Sequence, residues 1–251
     1  MTLAIALLLF ASGFLSGAVN AVAGGGTFLT FGALTVAGLP PITANATSSV
    51  AQIPGYITSA LSYWRDVRRI WRGILLLALA SALGSILGAM LLLALDNEDF
   101  AALVPWLLLG ATAMFAAGPW LKPRRAHASD AATGRGLAGP LVQFVTSIYG
   151  GFFGAGMGIM MLATLGLTES GEYHRLNAIK NALSIVIAFV AVGIFVSGGV
   201  VAWIHALVMV PAVALGGYAG VWAARRVPTI AVRSFVVAVG LALAAYYFVE
   251  G

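Results

Sequence analysis

The 251-residue chain has no cysteine, eight carboxylates, three histidines and only 8% charged residues. Each scarcity excludes something. Without cysteine there is no disulfide framework, thiolate metal site or thiol nucleophile. His127, His174 and His205 are scattered, with no HExxH or paired spacing that would hold a metal ion. No GxxxxGK[ST] run is present to cradle nucleotide phosphates, so ATP hydrolysis by this chain is not expected, nor a cofactor. A soluble domain carries roughly 25% charged residues, and this chain lacks the charge to coat a globule with water.

What is abundant is apolar: 61% of the residues are hydrophobic, with 31 glycines. A membrane-spanning helix needs about 20 apolar residues, so the composition points to an all-α integral membrane protein in contact with the lipid bilayer. The excess of 13 Lys and Arg over eight acids reads as the cytoplasmic-loop bias of a multispanning protein, not as a nucleic-acid surface. It gathers at Arg65, Arg68, Arg69 and Arg72, at Lys122, Arg124, Arg125 and Arg135, and at Arg225, Arg226 and Arg233. The apolar run from Leu3 has no basic residues before it and is not read as a cleaved signal peptide.

The longest polar interruption, 122–136, divides the chain into halves 1–121 and 137–251 within one transmembrane domain. Sliding the chain by 132 positions superposes Gly24 on Gly156, Gly26 on Gly158, Asn45-Ala46 on Asn177-Ala178, Trp71 on Trp203, Gly84 on Gly216 and Gly88 on Gly220. The Asn and Trp matches share one register and mark an internal duplication. The charge pattern reverses between halves. Asp96, Glu98 and Asp99 occupy the place that Arg225, Arg226 and Arg233 take later, while the counterpart of the Arg65 cluster, around Val196 to Trp203, is uncharged. Inverted structural repeats produce such a reversal, and they put the 122–136 linker in the cytoplasm.

Inversion requires an odd number of crossings per half. The run 3–39 is too long for one span and is broken at Ala23-Gly24-Gly25-Gly26. The run 137–168 is broken at Gly150-Gly151 and again at Gly154-Ala155-Gly156-Met157-Gly158. Each half is expected to be a broken helical hairpin plus three helices, giving about eight full-length spans and two short return legs.

No span contains an acid, and an intramembrane carboxylate is the usual proton relay or cation ligand. A helix restarting after a break presents its positive dipole end and free N–H groups, in lipid tolerated only against protein or a water-filled cavity. That favours an anion at Gly25, Gly26 and Thr27 and at Gly156, Met157 and Gly158, unless the glycines merely allow close packing. The GxGxG at 154–158 has no strand before it and is no dinucleotide fingerprint.

Polar stretches follow each break: Asn45, Thr47, Ser48, Ser49 and Gln52, then Asn177, Lys180, Asn181 and Ser184. Asn45 and Asn177 serve equally well as N-caps. Lys180 shares a helical face with Asn177, Asn181 and Ser184, and either faces an anion or snorkels to the interface. Ser12, Ser16 and Asn20 form one stripe, and Gln143, Thr146 and Ser147 another; both either line a pathway or join helices. Lys180→Ala and Gly26→Leu are expected to abolish anion flux in folded protein.

The pattern Gly17-x-x-Asn20-x-x-Ala23-Gly24-Gly25-Gly26 with Ala44-Asn45-Ala46-Thr47-Ser48, and its partner Tyr149-Gly150-Gly151-Phe152-Phe153-Gly154-Ala155-Gly156-Met157-Gly158 with Leu176-Asn177-Ala178-Ile179-Lys180-Asn181, resembles the sulfite exporter TauE/SafE family, also called the toluenesulfonate uptake permease family. The resemblance covers essentially the whole chain. It implies a multi-pass transporter of the bacterial inner membrane whose cargo is a sulfur-containing or organic anion such as sulfite, sulfonate, sulfoacetate or thiosulfate, possible as a homo-oligomer and not an enzyme. The rival reading is a membrane-embedded structural or assembly subunit whose glycines only pack helices. A carrier of metal cations or neutral solutes is disfavoured by the missing intramembrane carboxylates.

Overall fold

The computed structural model describes residues 1–22, 25–62, 68, 74–117, 138–169, 173–223 and 229–250. Among them the chain forms ten α-helices: α1 (Leu3–Val22), α2 (Thr27–Val36), α3 (Pro41–Ser62), α4 (Leu75–Leu93), α5 (Asn97–Ala117), α6 (Ala138–Phe152), α7 (Met157–Thr168), α8 (Tyr173–Ser197), α9 (Trp203–Ala223) and α10 (Thr229–Glu250). The first run breaks at its glycines, whereas α6 continues through Gly150 and Gly151 to Phe152, so the second run breaks only at the later glycines, between Phe153 and Gly156. The second legs are short: α2 has 10 residues and α7 has 12. At 1.5 Å per residue they reach about 15 and 18 Å, roughly half of a 30 Å hydrocarbon core.

Among the described residues four segments have the length and hydropathy of a full span: Leu3–Ala21, Leu75–Leu93, Arg175–Ser197 and Trp203–Gly220. Helices α3, α5 and α10 are 22, 21 and 22 residues long; α10 contains the shorter apolar segment Ser234–Val249, whereas α3 has the length without the hydropathy. In α3 the cause is its own polar content: Asn45, Thr47, Ser48 and Gln52 are all buried inside the bundle. Large apolar side chains elsewhere face outward, among them Leu3 and Leu7 on α1, Leu79 and Leu83 on α4, and Ile204 and Leu207 on α9. In lipid such faces carry no penalty.

The helices interlock across the chain. The two most extensive contacts are α1 with α9 and α4 with α6, followed by α3 with α9, α5 with α10, α4 with α8, and α3 with α8. Exchanging α1–α5 for α6–α10 turns this set into itself.

Glycine permits the two largest contacts. A Cβ on Gly216 would run into the Phe14 carbonyl oxygen, and one on Gly17 into that of Val213; on the other side Gly84 meets the Phe144 carbonyl and Gly88 that of Ile148. Gly84-xxx-Gly88 and Gly216-xxx-Gly220 are therefore packing faces.

These contacts also show where the duplication register slips. Gly84 and Gly216 obey the 132-residue shift, yet their partners Phe144 and Phe14 stand two positions closer in sequence. The same slip makes Gly26 the counterpart of Gly156, since these two residues precede α2 and α7. The ungapped alignment of Gly26 with Gly158 is thus two residues out at the hairpins.

Apart from Lys180, buried within α8, the charges placed among the described residues lie toward the helix ends. Asp96, Glu98 and Asp99 are exposed around the start of α5, and Glu169 follows α7. Arg68 is exposed, and Arg233 lies in the first turn of α10. The other residues of the three basic clusters, with Trp71, Gly24 and the 122–136 linker, lie outside the described residues.

Candidate functional site

Each hairpin tip is held by a side chain from its own first leg. The Gly25 N–H donates to Asn20 Oδ1 at 3.1 Å, and the Tyr149 hydroxyl donates to the Ala155 carbonyl at 2.6 Å. Gly26 sits so close to α1 that a Cβ would overlap the Ser16 carbonyl oxygen, although its backbone is ordinary helix. Gly156 is required for a different reason, since it precedes α7 with φ +77, a left-handed conformation that side chains resist. Gly154 is also left-handed, at φ +71. The Gly26→Leu variant would therefore disrupt packing before it reported on flux.

These tips bring the starts of α2 and α7 to one small cavity. Thr27 and Met157, the first residues of the two short helices, both line it, with Ser49, Gln52 and Tyr56 from α3, Gly150 from the last turn of α6, Gly154 from the break that follows, and Ile187, Ala188 and Ala191 from α8. The side chains from α2 and α3 are polar, and those from α7 and α8 are apolar. The cavity measures about 10 Å³, room for a single water. The Gly156 and Gly158 N–H groups have no hydrogen-bond partner among the described residues. The Tyr56 hydroxyl stands against the Thr27 and Asn20 side chains.

Behind the polar side chains of α2 and α3 runs a buried network. Gln52 Nε2 donates to Thr30 Oγ1 at 3.1 Å and also to the Ser16 hydroxyl, while its Oε1 accepts from Asn20 Nδ2 at 2.9 Å. Ser48 and Thr30 share a hydrogen bond of 2.7 Å. Three of the four hydrogen-bonding positions of the fully buried Gln52 amide are filled, and these bonds orient it at the cavity wall. The Ser16 and Asn20 stripe of α1 belongs to this network.

Other predicted residues go elsewhere. Asn45 Nδ2 donates to the Phe152 carbonyl at 2.9 Å, tying α3 to the end of α6. Thr47 Oγ1 accepts from the Ala202 N–H at 2.9 Å, just ahead of α9. Neither Asn45 nor Asn177 is an N-cap, since α3 and α8 each start four residues earlier. Gly158 lies in the first turn of α7. Asn177, Lys180 and Asn181 are buried on α8 but do not line the cavity.

Sequence reasoning missed Tyr56, Ile187, Ala188 and Ala191 as cavity residues. Only their helical spacing from Gln52 and Ser184 hinted at them, one turn beyond each polar stretch.

Comparison with known proteins gives this geometry a lineage. Residues 9–247 match the family described as sulfite exporter TauE/SafE. A probable membrane transporter protein of Haemophilus influenzae is 30% identical over 216 residues, covering 85% of this chain and 82% of its own. A probable membrane transporter protein, ORF9, of a Sinorhizobium species is 30% identical over 247 residues, covering 94% and 89%. No solved structure matches. With a match across nearly its whole length and relatives of the same extent, the chain belongs to the sulfite exporter TauE/SafE family, a family of membrane transporters.

Proposed function

We propose that this multi-pass transporter moves a small sulfur-containing or organic anion, of the sulfite or sulfonate type, out of the cell across the bacterial inner membrane. The cargo binds in the central cavity between the starts of α2 and α7. The observation that carries this reading is that Thr27 and Met157, the first residues of both short helices, line the same cavity. Two helix N-termini whose first residues meet at one cavity attract negative charge there. No carboxylate lines the cavity to oppose it.

A cavity with room for one water is a closed state, and an anion enters only when the walls separate. The wall that opens first decides from which side. Inverted repeats supply the means, and the exchange symmetry of the helix contacts together with the reversed charge pattern supports them. The inside-negative potential drives an anion outward by about 2.3 kcal/mol per charge per 100 mV, so export proceeds without a coupling site.

Purified protein in liposomes tests this. Sulfite or p-toluenesulfonate efflux should be saturable, and Thr27→Val, which keeps the side-chain volume and removes the hydroxyl at the cavity, should weaken half-saturation by roughly tenfold. Unchanged half-saturation in Thr27→Val would refute the site, and the absence of any anion flux would refute the function.

A further inference from the structure

The polar stretches of α3 and α8 occupy equivalent positions but use their polar groups in opposite ways. In α3 every such side chain is spent within the protein. Asn45 bonds to the Phe152 carbonyl, Ser48 to Thr30, Ser49 to the Asn45 carbonyl, and Gln52 to Ser16, Thr30 and Asn20. In α8 the counterparts of Asn45, Ser48 and Ser49 are Asn177, Lys180 and Asn181. They are 7%, 5% and 3% exposed, and none has a hydrogen bond or ion pair among the described residues.

Lys180 is the one buried Lys or Arg among the described residues. The described carboxylates Asp96, Glu98, Asp99, Glu169 and Glu250 all lie at helix ends, so none of these supplies an internal counter-charge. A buried cation without a partner is costly, and three unspent donors of an ammonium beside two unspent amides make a receptor for oxyanions.

This group is separate from the central cavity. Lys180 and Ile187 share a face of α8, seven residues apart, which at 1.5 Å per residue is about 10 Å along the axis. Between them Ser184 packs its hydroxyl on Met161 Sδ at 3.7 Å, across to α7 one turn beyond Met157. The route from Lys180 to the cavity therefore passes the Ser184–Met161 contact.

We propose that Asn177, Lys180 and Asn181 form a second anion position, which receives the substrate on one side of the membrane before it passes Ser184 and Met161 to the central cavity. It rests on the reading of the cavity as an anion site. The equivalent level of the first half has Ser48 in place of the lysine, hydrogen-bonded shut, so the other side has no such position. An anion approaching from the α8 side meets a charge; one approaching from the α3 side meets a sealed neutral network.

The test is sulfite flux in vesicles with the protein reconstituted in one orientation, measured in both directions. Lys180→Gln should raise half-saturation about tenfold for entry from one face and leave the other within twofold, with Lys180→Arg restoring it. In detergent without anion, Lys180→Gln should melt no lower than wild type, because it removes an unpaired buried charge, and sulfite should stabilise it less. An equal effect from both faces would overturn the proposal by moving Lys180 into the central site, and no effect from either would overturn it outright. If Lys180→Gln does not fold, Asn181→Ala takes the same one-sided test. Unchanged half-saturation in Thr27→Val with the one-sided Lys180 effect retained is failure of the central reading, whereas a roughly tenfold loss in Thr27→Val without any one-sided Lys180 effect is failure of this one.

Discussion

The α1–α9 and α4–α6 interfaces solve one packing problem with different chemistry. At α1–α9 the close approach is made by Gly13, Gly17, Gly216 and Gly220 against backbone, and the surface is almost purely steric. At α4–α6, Gly84, Gly88 and Gly151 do the same, but hydroxyls and an amide are threaded between them. Gln143 Nε2 donates to Ser81 at 2.8 Å and to Ser147 at 3.1 Å, and Ser85 donates to the Ile187 carbonyl of α8 at 2.8 Å. The glycines set the distance in both; the polar groups at α4–α6 add register. The α4–α6 pair is in addition tied by Ser85 to α8, the helix that carries Lys180.

The comparison breaks first at the glycines. Gly216→Leu and Gly84→Leu both drive a side chain into a carbonyl oxygen and should each cost several kcal/mol, beyond the stability of a marginal bundle. Neither should yield monodisperse protein on size exclusion; tolerance at Gly84 alone would show that the two interfaces are not equally tight. A smaller effect is expected at Ser85→Ala, which removes the bond to α8 and should lower stability by about 1 kcal/mol, seen as a reduced melting temperature. Thr47→Val leaves the Ala202 N–H without its acceptor and should cost a similar 1 kcal/mol or so at the start of α9. Smallest of all is Gln143→Leu. Gln143 Oε1 is buried without a partner, so losing two donor bonds is offset by removing an orphaned acceptor, and the melting temperature should move little.

The break of each half's first apolar run into a long and a short helix was legible among the described residues because glycines interrupt otherwise continuous apolar segments. The hairpin register was not. Gly24, Gly25 and Gly26 can be laid on 154–158 in two ways, and only the contacts of Gly84 and Gly216 with α6 and α1 select between them. Thr27, Gln52 and Met157 were found from their nearness to the breaks. Asn45 and Thr47 looked like site residues for the same reason, but their partners Phe152 and Ala202 lie more than 100 residues away, beyond any local pattern. Tyr56, Ile187 and Ala191 reach the cavity as ordinary core side chains, and nothing in their chemistry separates them from other apolar residues.

The interlocking of helices has a consequence for biosynthesis. Helix α1 ends at Val22 and its partner α9 begins at Trp203. At translation rates of about 5–20 residues per second, α1 waits on the order of ten to forty seconds before its partner leaves the ribosome. Throughout that interval Gly13 and Gly17 offer an open groove to the bilayer, which lipid or a membrane chaperone must occupy. The last helices made close the first one in, so a ribosome that stalls before α9 leaves α1 without its partner.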